Sequence, residues 1–259
     1  MGSRYRGVRN LSAIEVKNLT VRYDGYVAIE DVSITIDHPS LVVVMGPNGA
    51  GKTTFLKALL GLIPYNGTVS IFGKSPRKVR DRLGYLPQRE RINLNVPLKV
   101  RDVVLLPLIS RKTGIKRYDV KRAKEALEAV GMVDFWDSRF DSLSGGQQQR
   151  VLFARTIVTD PDILILDEPF SAADVRTKLA LIDLLHKLKR EKTVIIVLHD
   201  INPLVECTDR VILLNRRVLA YGTVAEVITE DNLEKLYGTK IPVIRQGPVC
   251  YVVGGDRHA

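Results

Sequence analysis

Residues 46–53 read Gly46-Pro47-Asn48-Gly49-Ala50-Gly51-Lys52-Thr53, a G-x-x-x-x-G-K-[ST] loop. Such a loop works only between a strand and a helix. Both flanks are legible: the apolar run Leu41-Val42-Val43-Val44-Met45 precedes it, and the helix-prone Thr54-Phe55-Leu56-Lys57-Ala58-Leu59-Leu60 follows. The glycines let the backbone turn tightly and aim several N–H groups into one concavity. The helix start adds its own unpaired N–H groups and the positive end of its dipole. Lys52 is expected to reach the β- and γ-phosphates of a nucleotide, with the Thr53 hydroxyl on Mg²⁺. An ordinary glycine turn would account for the loop, but not for the lysine, the hydroxyl and both flanks together. The loop therefore predicts a bound nucleoside triphosphate.

Around this loop the pattern changes twice. Ile14-Glu15-Val16-Lys17, Thr20-Val21-Arg22-Tyr23 and Val32-Ser33-Ile34-Thr35-Ile36 alternate apolar and polar side chains, with a turn expected at Asp24-Gly25. Asn66-Gly67 reads as a turn, and Thr68-Val69-Ser70-Ile71-Phe72 as a further strand. An antiparallel β layer beside the loop's strand follows. From about residue 97 to 151 the texture is helical. Val100, Val103 and Val104 suggest a helix stopped at Pro107. Val120, Ala123, Leu127 and Val130 share a face of a second helix, with Gly131 as its C-cap, and Ser144 is a good N-cap for a third. The runs Ile163-Leu164-Ile165-Leu166, Thr193-Val194-Ile195-Ile196-Val197-Leu198 and Val211-Ile212-Leu213-Leu214 then flank a helical stretch at residues 179–188. Continuous apolar strands interleaved with helices predict a parallel sheet covered on both faces.

Thirty-nine Lys and Arg against 29 Asp and Glu give a net charge of +10, which allows a nucleic acid or an anionic surface as partner. The basic residues are spread out, with denser patches at residues 4–9, 74–82 and 111–124, so charge alone selects no partner. Two cysteines, Cys207 and Cys250, give no disulfide framework and fit a reducing compartment. No apolar stretch is long enough to span a bilayer. The basic residues 1–10 lack the apolar centre of a signal peptide, and Met1-Gly2-Ser3 is set aside from the fold argument.

Three further stretches bear chemistry. Ile163-Leu164-Ile165-Leu166-Asp167-Glu168-Pro169 ends an apolar strand in two carboxylates, where ligands of an open α/β sheet bind. Asp167 is expected to hold Mg²⁺ with Thr53, and Glu168 to activate the attacking water. Paired acids alone could be a solvated strand end, but not so readily in a chain with this loop. His199 ends the next apolar strand, so its imidazole can meet the γ-phosphate. His38, His186 and His258 have no such setting, and the four histidines form no metal cluster. Finally Leu143-Ser144-Gly145-Gly146-Gln147 puts two glycines at a helix start, a second anion site of the same physical kind as the first. It stands far from the loop, which suggests that it serves a neighbouring chain.

These residues resemble the nucleotide-binding subunit of an ABC transporter over about residues 14–244. Residues 46–53 resemble Walker A, residues 163–168 Walker B with its catalytic glutamate, and residues 143–147 are an unaltered LSGGQ signature. Gln88, in Gly84-Tyr85-Leu86-Pro87-Gln88, is similar to the Q-loop glutamine. Ser171-Ala172-Ala173-Asp174 is similar to the D-loop, and His199 to the switch histidine. Tyr23 stands where the family places an aromatic on adenine, with Tyr26 as the competing candidate. Two departures are visible: Ala173 replaces the usual D-loop leucine, and Pro39-Ser40 replaces a Gly-Glu, taken as a difference in a surface turn.

The resemblance implies an α/β P-loop NTPase with a RecA-like, mostly parallel sheet core, an N-terminal antiparallel β subdomain and an inserted α-helical subdomain. A single ABC ATPase domain is expected over residues 12–245, with its core at 12–88 and 152–245, the helical subdomain at about 89–151, and extensions at 1–11 and 246–259. It implies ATP and Mg²⁺, with Thr53, Gln88 and Asp167 toward the metal and Glu168, His199 and Gln88 as catalytic residues. Residues 46–53, Thr54 and Tyr23 would bind one nucleotide. Leu143, Ser144, Gly145, Gly146 and Gln147 would contact the nucleotide of a second copy, with Asp174 at the junction, in a head-to-tail, ATP-dependent homodimer. Transmembrane permease subunits and an extracytoplasmic binding protein are the implied partners, with no nucleic acid expected and a peripheral place on the cytoplasmic face of the cell membrane. Residues 96–104 resemble the metal-ion (zinc or manganese) import branch, and the C-terminal stretch from Tyr221 to Gly238 resembles importer subunits of the metal, siderophore and cobalamin kind. A ribosome- or nucleic-acid-directed ATPase is the alternative, and a regulator without hydrolysis is disfavoured by Glu168 and His199.

Overall fold

A computed structural model describes residues 11–88, 97–109, 114–171, 173–246 and 249–252. Ala172, Val96, the basic residues 4–9 and 111–113, and Met1-Gly2-Ser3 lie outside the described residues, as does most of the C-terminal extension. In chain order the strands and helices are β1 (Leu11–Tyr23), β2 (Tyr26–His38), β3 (Leu41–Met45), α1 (Lys52–Leu59), β4 (Asn66–Ile71), β5 (Leu83–Leu86), α2 (Val100–Ile109), α3 (Arg117–Ala129), α4 (Gly145–Ile157), β6 (Ile163–Asp167), α5 (Val175–Leu188), β7 (Thr193–Val197), β8 (Arg210–Asn215), β9 (Arg217–Gly222), α6 (Val224–Val227), α7 (Glu230–Tyr237), β10 (Val243–Gln246) and β11 (Val249–Val252). The chain divides into two compact units, residues 81–188 and the remainder.

In the larger unit, β3 lies between β7 and β8 with parallel pairing on both sides, and β9 adds an antiparallel edge to β8. All five residues of β3 and of β7 are buried. That is the burial an apolar run requires when helices cover both faces of a sheet. A second, antiparallel sheet has the order β2-β1-β4. Its strands bury alternate residues, such as Val32, Ile34 and Ile36 of β2. The Tyr221 hydroxyl of β9 donates to the Thr35 carbonyl of β2 at 2.6 Å and links the two layers.

Two expected short strands merge into one. β1 runs from Leu11 to Tyr23, with a register shift between Val16 and Leu19. Asn18 takes φ +50 there; its N–H bonds the Ser33 hydroxyl at 2.9 Å, and its side-chain amide donates to Asp31 at 2.9 Å. These local bonds let the ladder continue through the bulge. The expected turn at Asn66-Gly67 is corrected for the same reason. Both residues belong to β4, and Gly67 lies opposite the bulge at φ +90, where a Cβ would stand 2.3 Å from the Asn18 carbonyl oxygen. The glycine answers a close backbone approach, not a hairpin turn.

At the Pro39-Ser40 departure Pro39 is exposed in a bend, as a surface turn requires, while the residues on either side of it reach inward. His38 and Ser40 are buried, the His38 Nδ1 lies 2.9 Å from the Thr193 hydroxyl, and the Val194 N–H donates to the Ser40 carbonyl at 2.7 Å. This stretch ties the end of β2 and the start of β3 to the start of β7.

In the smaller unit, β5 and β6 pair in parallel, from Leu83 with Ile163 to Leu86 with Leu166. Helices α2, α3 and α4 pack on one another around Val104, Leu108, Ala123, Leu127, Val151 and Phe153. The helix expected to stop at Pro107 continues to Ile109. Val104 and Leu108, four residues apart and fully buried, hold the last turn in place against the proline's lost N–H.

Candidate functional site

Residues 46–51 connect β3 to α1, as the loop requires. Gly51 caps the helix at φ +91, and a Cβ there would fall 2.4 Å from the Ala28 carbonyl oxygen. A side chain is excluded both by conformation and by space. Lys52, nearly buried at 7% exposure, folds its ammonium over the loop and donates to the carbonyls of Gly46 at 2.7 Å and Pro47 at 2.9 Å. Ala50 donates to the Pro47 carbonyl at 3.2 Å. Thr53 and Thr54 follow on the first turn of α1, both half-buried. Asn48 and Gly49 are exposed at the tip.

The register of β3 and β7 brings a second candidate to the same edge. Val44 pairs with Val197, and the Leu198 N–H donates to the Val44 carbonyl at 3.2 Å. The next residue after Leu198 is His199, exposed, at the carboxyl end of the strand beside the one that feeds the loop. Tyr23 and Tyr26 pair across the β1–β2 turn, 42% and 47% exposed. The Arg216 guanidinium lies over the Tyr26 ring, 4.8 Å from its centroid.

Arg216 is a residue that the sequence did not single out. At φ +59 between β8 and β9, it donates its N–H to the Ala50 carbonyl at 2.9 Å and accepts from the Glu30 N–H at 2.8 Å. Next to it, Arg217 pairs with Glu30 at 2.7 Å and holds that carboxyl below its ordinary range. The loop is thus braced by the main chain of the β8–β9 turn. A basic pair in a turn has no sequence signal for such a role.

The smaller unit carries the other candidates. Asp167 ends β6 at 1% exposure, and Glu168 follows with φ +51, a conformation that is strained for a non-glycine residue. The Gln88 amide donates to Glu168 Oε2 at 3.0 Å, so two expected site residues meet directly. Ser144 caps α4 in a reciprocal box: its N–H donates to Gln147 Oε1 at 2.9 Å, and its hydroxyl accepts from the Gln147 N–H at 3.4 Å. Leu143 is buried, while Gly145 and Gly146 occupy the first turn of a 13-residue helix. Asp174 caps α5, accepting from the Thr177 N–H at 2.7 Å. That bond is the main reason its carboxyl sits below the usual range. The donors expected around Mg²⁺ are a hydroxyl (Thr53), a carboxylate (Asp167) and an amide oxygen (Gln88). They are hard oxygen ligands of the type Mg²⁺ takes beside nucleotide phosphates. Among the described residues, no group of three or more His, Cys, Asp or Glu could hold a metal by itself.

The family model described as ABC transporter matches residues 29–171, more than half of the chain. The chain belongs to the ABC transporter family. Among relatives of this ABC protein, the zinc transport system ATP-binding protein TroB of Treponema pallidum is 42% identical over 234 residues, covering 88% of each chain. The manganese transport system ATP-binding protein MntB of Bacillus subtilis is 40% identical over 237 residues, covering 90% of this chain and 95% of its own. A solved ABC transporter described as of metal-chelate type, in an inward-facing conformation, matches at TM-score 0.79 and 25% identity, over 93% of this chain and 96% of that one. The ADP conformation of the ATP-binding cassette MJ1267 shares the fold at TM-score 0.77 and 20% identity, over 89% of this chain and all of its own. The ABC protein is an ATP-binding, ATP-hydrolysing subunit of a transporter, built on a mostly parallel P-loop NTPase fold. No helix among its described residues is long and apolar enough to cross a membrane. Subunits of this kind work with membrane permease subunits.

Proposed function

We propose that the ABC protein powers import of a metal ion or metal complex. The observation that carries this reading is the identity of 42% and 40%, across most of each chain, to ATP-binding proteins of zinc and manganese transport systems. Cargo choice in such a system belongs to the permease and an extracytoplasmic binding protein. This subunit would sit on the cytoplasmic face of the membrane and supply the work.

The residues divide the labour of phosphoryl transfer, which is mostly positioning and charge stabilisation. Lys52 and the loop N–H groups hold the phosphates, and Tyr23 stacks on the adenine. The Arg216 guanidinium over Tyr26 favours Tyr23 for that role, because one Tyr26 face already has a cation. His199 bonds the γ-phosphate. Glu168 takes the proton of the attacking water, with Gln88 holding its carboxylate. Mg²⁺ would neutralise phosphate charge, held by Thr53, Asp167 and Gln88. Two copies close head to tail, so that Ser144, Gly145 and Gly146 of one face the nucleotide held by Lys52 and Thr53 of the other, with Asp174 at the junction. The helical subdomain, about residues 89–151, receives the permease. Its exposed apolar side chains Leu106, Ile109, Ile115 and Tyr118 suit such a surface.

The test is uptake of radioactive zinc and manganese by cells lacking the gene, complemented with wild type or Glu168→Gln. Wild type restores uptake of one of the metals and the variant does not, while its purified form binds ATP and accumulates as a dimer. Equal uptake with and without the wild-type gene would refute the metal reading, and normal turnover by the variant would refute the base.

A further inference from the structure

The turn after β6 must aim Glu168, and its main chain is held from an unexpected direction. Pro169 follows the strained Glu168, and its carbonyl accepts a hydrogen bond from Gln149 Nε2 at 3.1 Å. Gln149 lies on α4 at 1% exposure, five residues after the capping Ser144 and on the same helix as Gly145 and Gly146. Its other amide atom, Oε1, is buried and accepts no hydrogen bond. A buried acceptor left without a donor is unfavourable, and an aliphatic side chain would fill this space without that penalty. The donor half of the amide therefore accounts for the residue. The neighbouring Arg150 acts on the same segment: Asp174 is held below its usual range first by the Thr177 N–H, and the Arg150 charge adds to it. One helix start thus reaches both the residue after Glu168 and the cap of α5.

We propose that Gln149 is a positioning residue for Glu168, its buried amide pinning the Pro169 carbonyl to the helix that begins at Ser144. The proposal rests on Glu168 as the base and on residues 144–146 as the surface for a second copy's nucleotide. Glu168 is then clamped twice, at its carboxylate by Gln88 and at its following peptide by Gln149. Any displacement of the α4 helix start carries to the base through a single hydrogen bond.

The experiment uses the full chain. Gln149→Met keeps the length and removes the donor. It should lower kcat about tenfold or more while ATP KM stays within about twofold, because only the aim of the base is lost. Unchanged kcat would overturn the proposal, as would kcat, KM and melting temperature falling together. Gln149→Glu, the second variant, replaces the donor by an acceptor until its carboxyl is protonated. Burial raises this carboxyl above the usual glutamate range of about 4.3, so the variant's kcat relative to wild type should rise as pH is lowered from about 8.5 to 5.5, and a ratio that falls over that range would overturn the proposal. Placed in the Glu168→Gln background, Gln149→Met should leave the yield of ATP-trapped dimer unchanged. Loss of trapping would overturn the proposal, since the amide would then be supporting the signature surface. Glu168→Gln alone serves as the control for the parent reading: normal turnover by that variant removes Glu168 as base, and the proposal with it.

Discussion

Single residues of the ABC protein carry more than their motif letters say. Lys52 is already turned over the loop by two carbonyls, so Lys52→Ala removes the proposed phosphate ligand and also the donor that those carbonyls share. ATP affinity should fall by about tenfold or more, measured by titration with a fluorescent nucleotide; undiminished affinity would rule the role out. Cys207 makes the opposite case. Burial pushes its thiol from 9.0 up to about 11. Its folded pKa lies above its unfolded one, so the folded state gains nothing from this group below pH 9 and loses stability relative to that as pH rises toward 11. The native protein should resist alkylation at Cys207 at neutral pH, with a thiol-specific reagent reacting at that site only on unfolding. Rapid native labelling there would contradict the burial. The loop, Asp167, Glu168 and the signature were legible in the sequence because each pairs a chemical group with a readable flank. Gln149 and Arg216 were not: one donates through a side chain and the other through its main chain, to partners 20 and 166 residues away in the chain.

Elements show where local signals lose to packing. Pro107 signals the end of a helix, yet Val104 and Leu108 are buried together and α2 continues to Ile109. Asn66-Gly67 signals a turn, yet the Asn18 bulge opposite requires a strand residue without a Cβ. Gly67→Ala should therefore destabilise the antiparallel layer by about 1–3 kcal/mol, from the left-handed backbone and the carbonyl contact together. A thermal melt reads it, and an unchanged midpoint would show that β1 can shift. The hairpin of β10 and β11 was also missed, since four-residue strands carry little periodicity. It is anchored by Asn202, whose side chain donates to the Val252 carbonyl and accepts from the Val252 N–H, each at 2.9 Å. Asn202→Leu should free this hairpin and raise amide exchange at β11, with protection elsewhere unchanged.

At the scale of the whole molecule, the net charge of +10 is a weak guide and the fold a strong one. A nucleic-acid-directed ATPase would bind duplex DNA with a steep salt dependence, whereas the transporter subunit should show little binding even at low salt. The permease reading makes a complementary prediction. Leu106→Glu, at an exposed position of α2, should abolish co-purification with the membrane partner while leaving ATP hydrolysis by the isolated subunit within about twofold. Retained co-purification would move the docking surface elsewhere.

The brace on the phosphate loop has a thermodynamic consequence. Gly51 can take only one kind of residue, the Lys52 ammonium ties down two carbonyls, and the Arg216 N–H holds the Ala50 carbonyl from outside. These bonds restrain the loop before any nucleotide is bound. Calorimetry of nucleotide binding to the isolated subunit should therefore show a small heat-capacity change, because little surface is buried and few residues are ordered at that step. If the restraint holds in solution, the association rate should be set by diffusion and charge rather than by loop rearrangement.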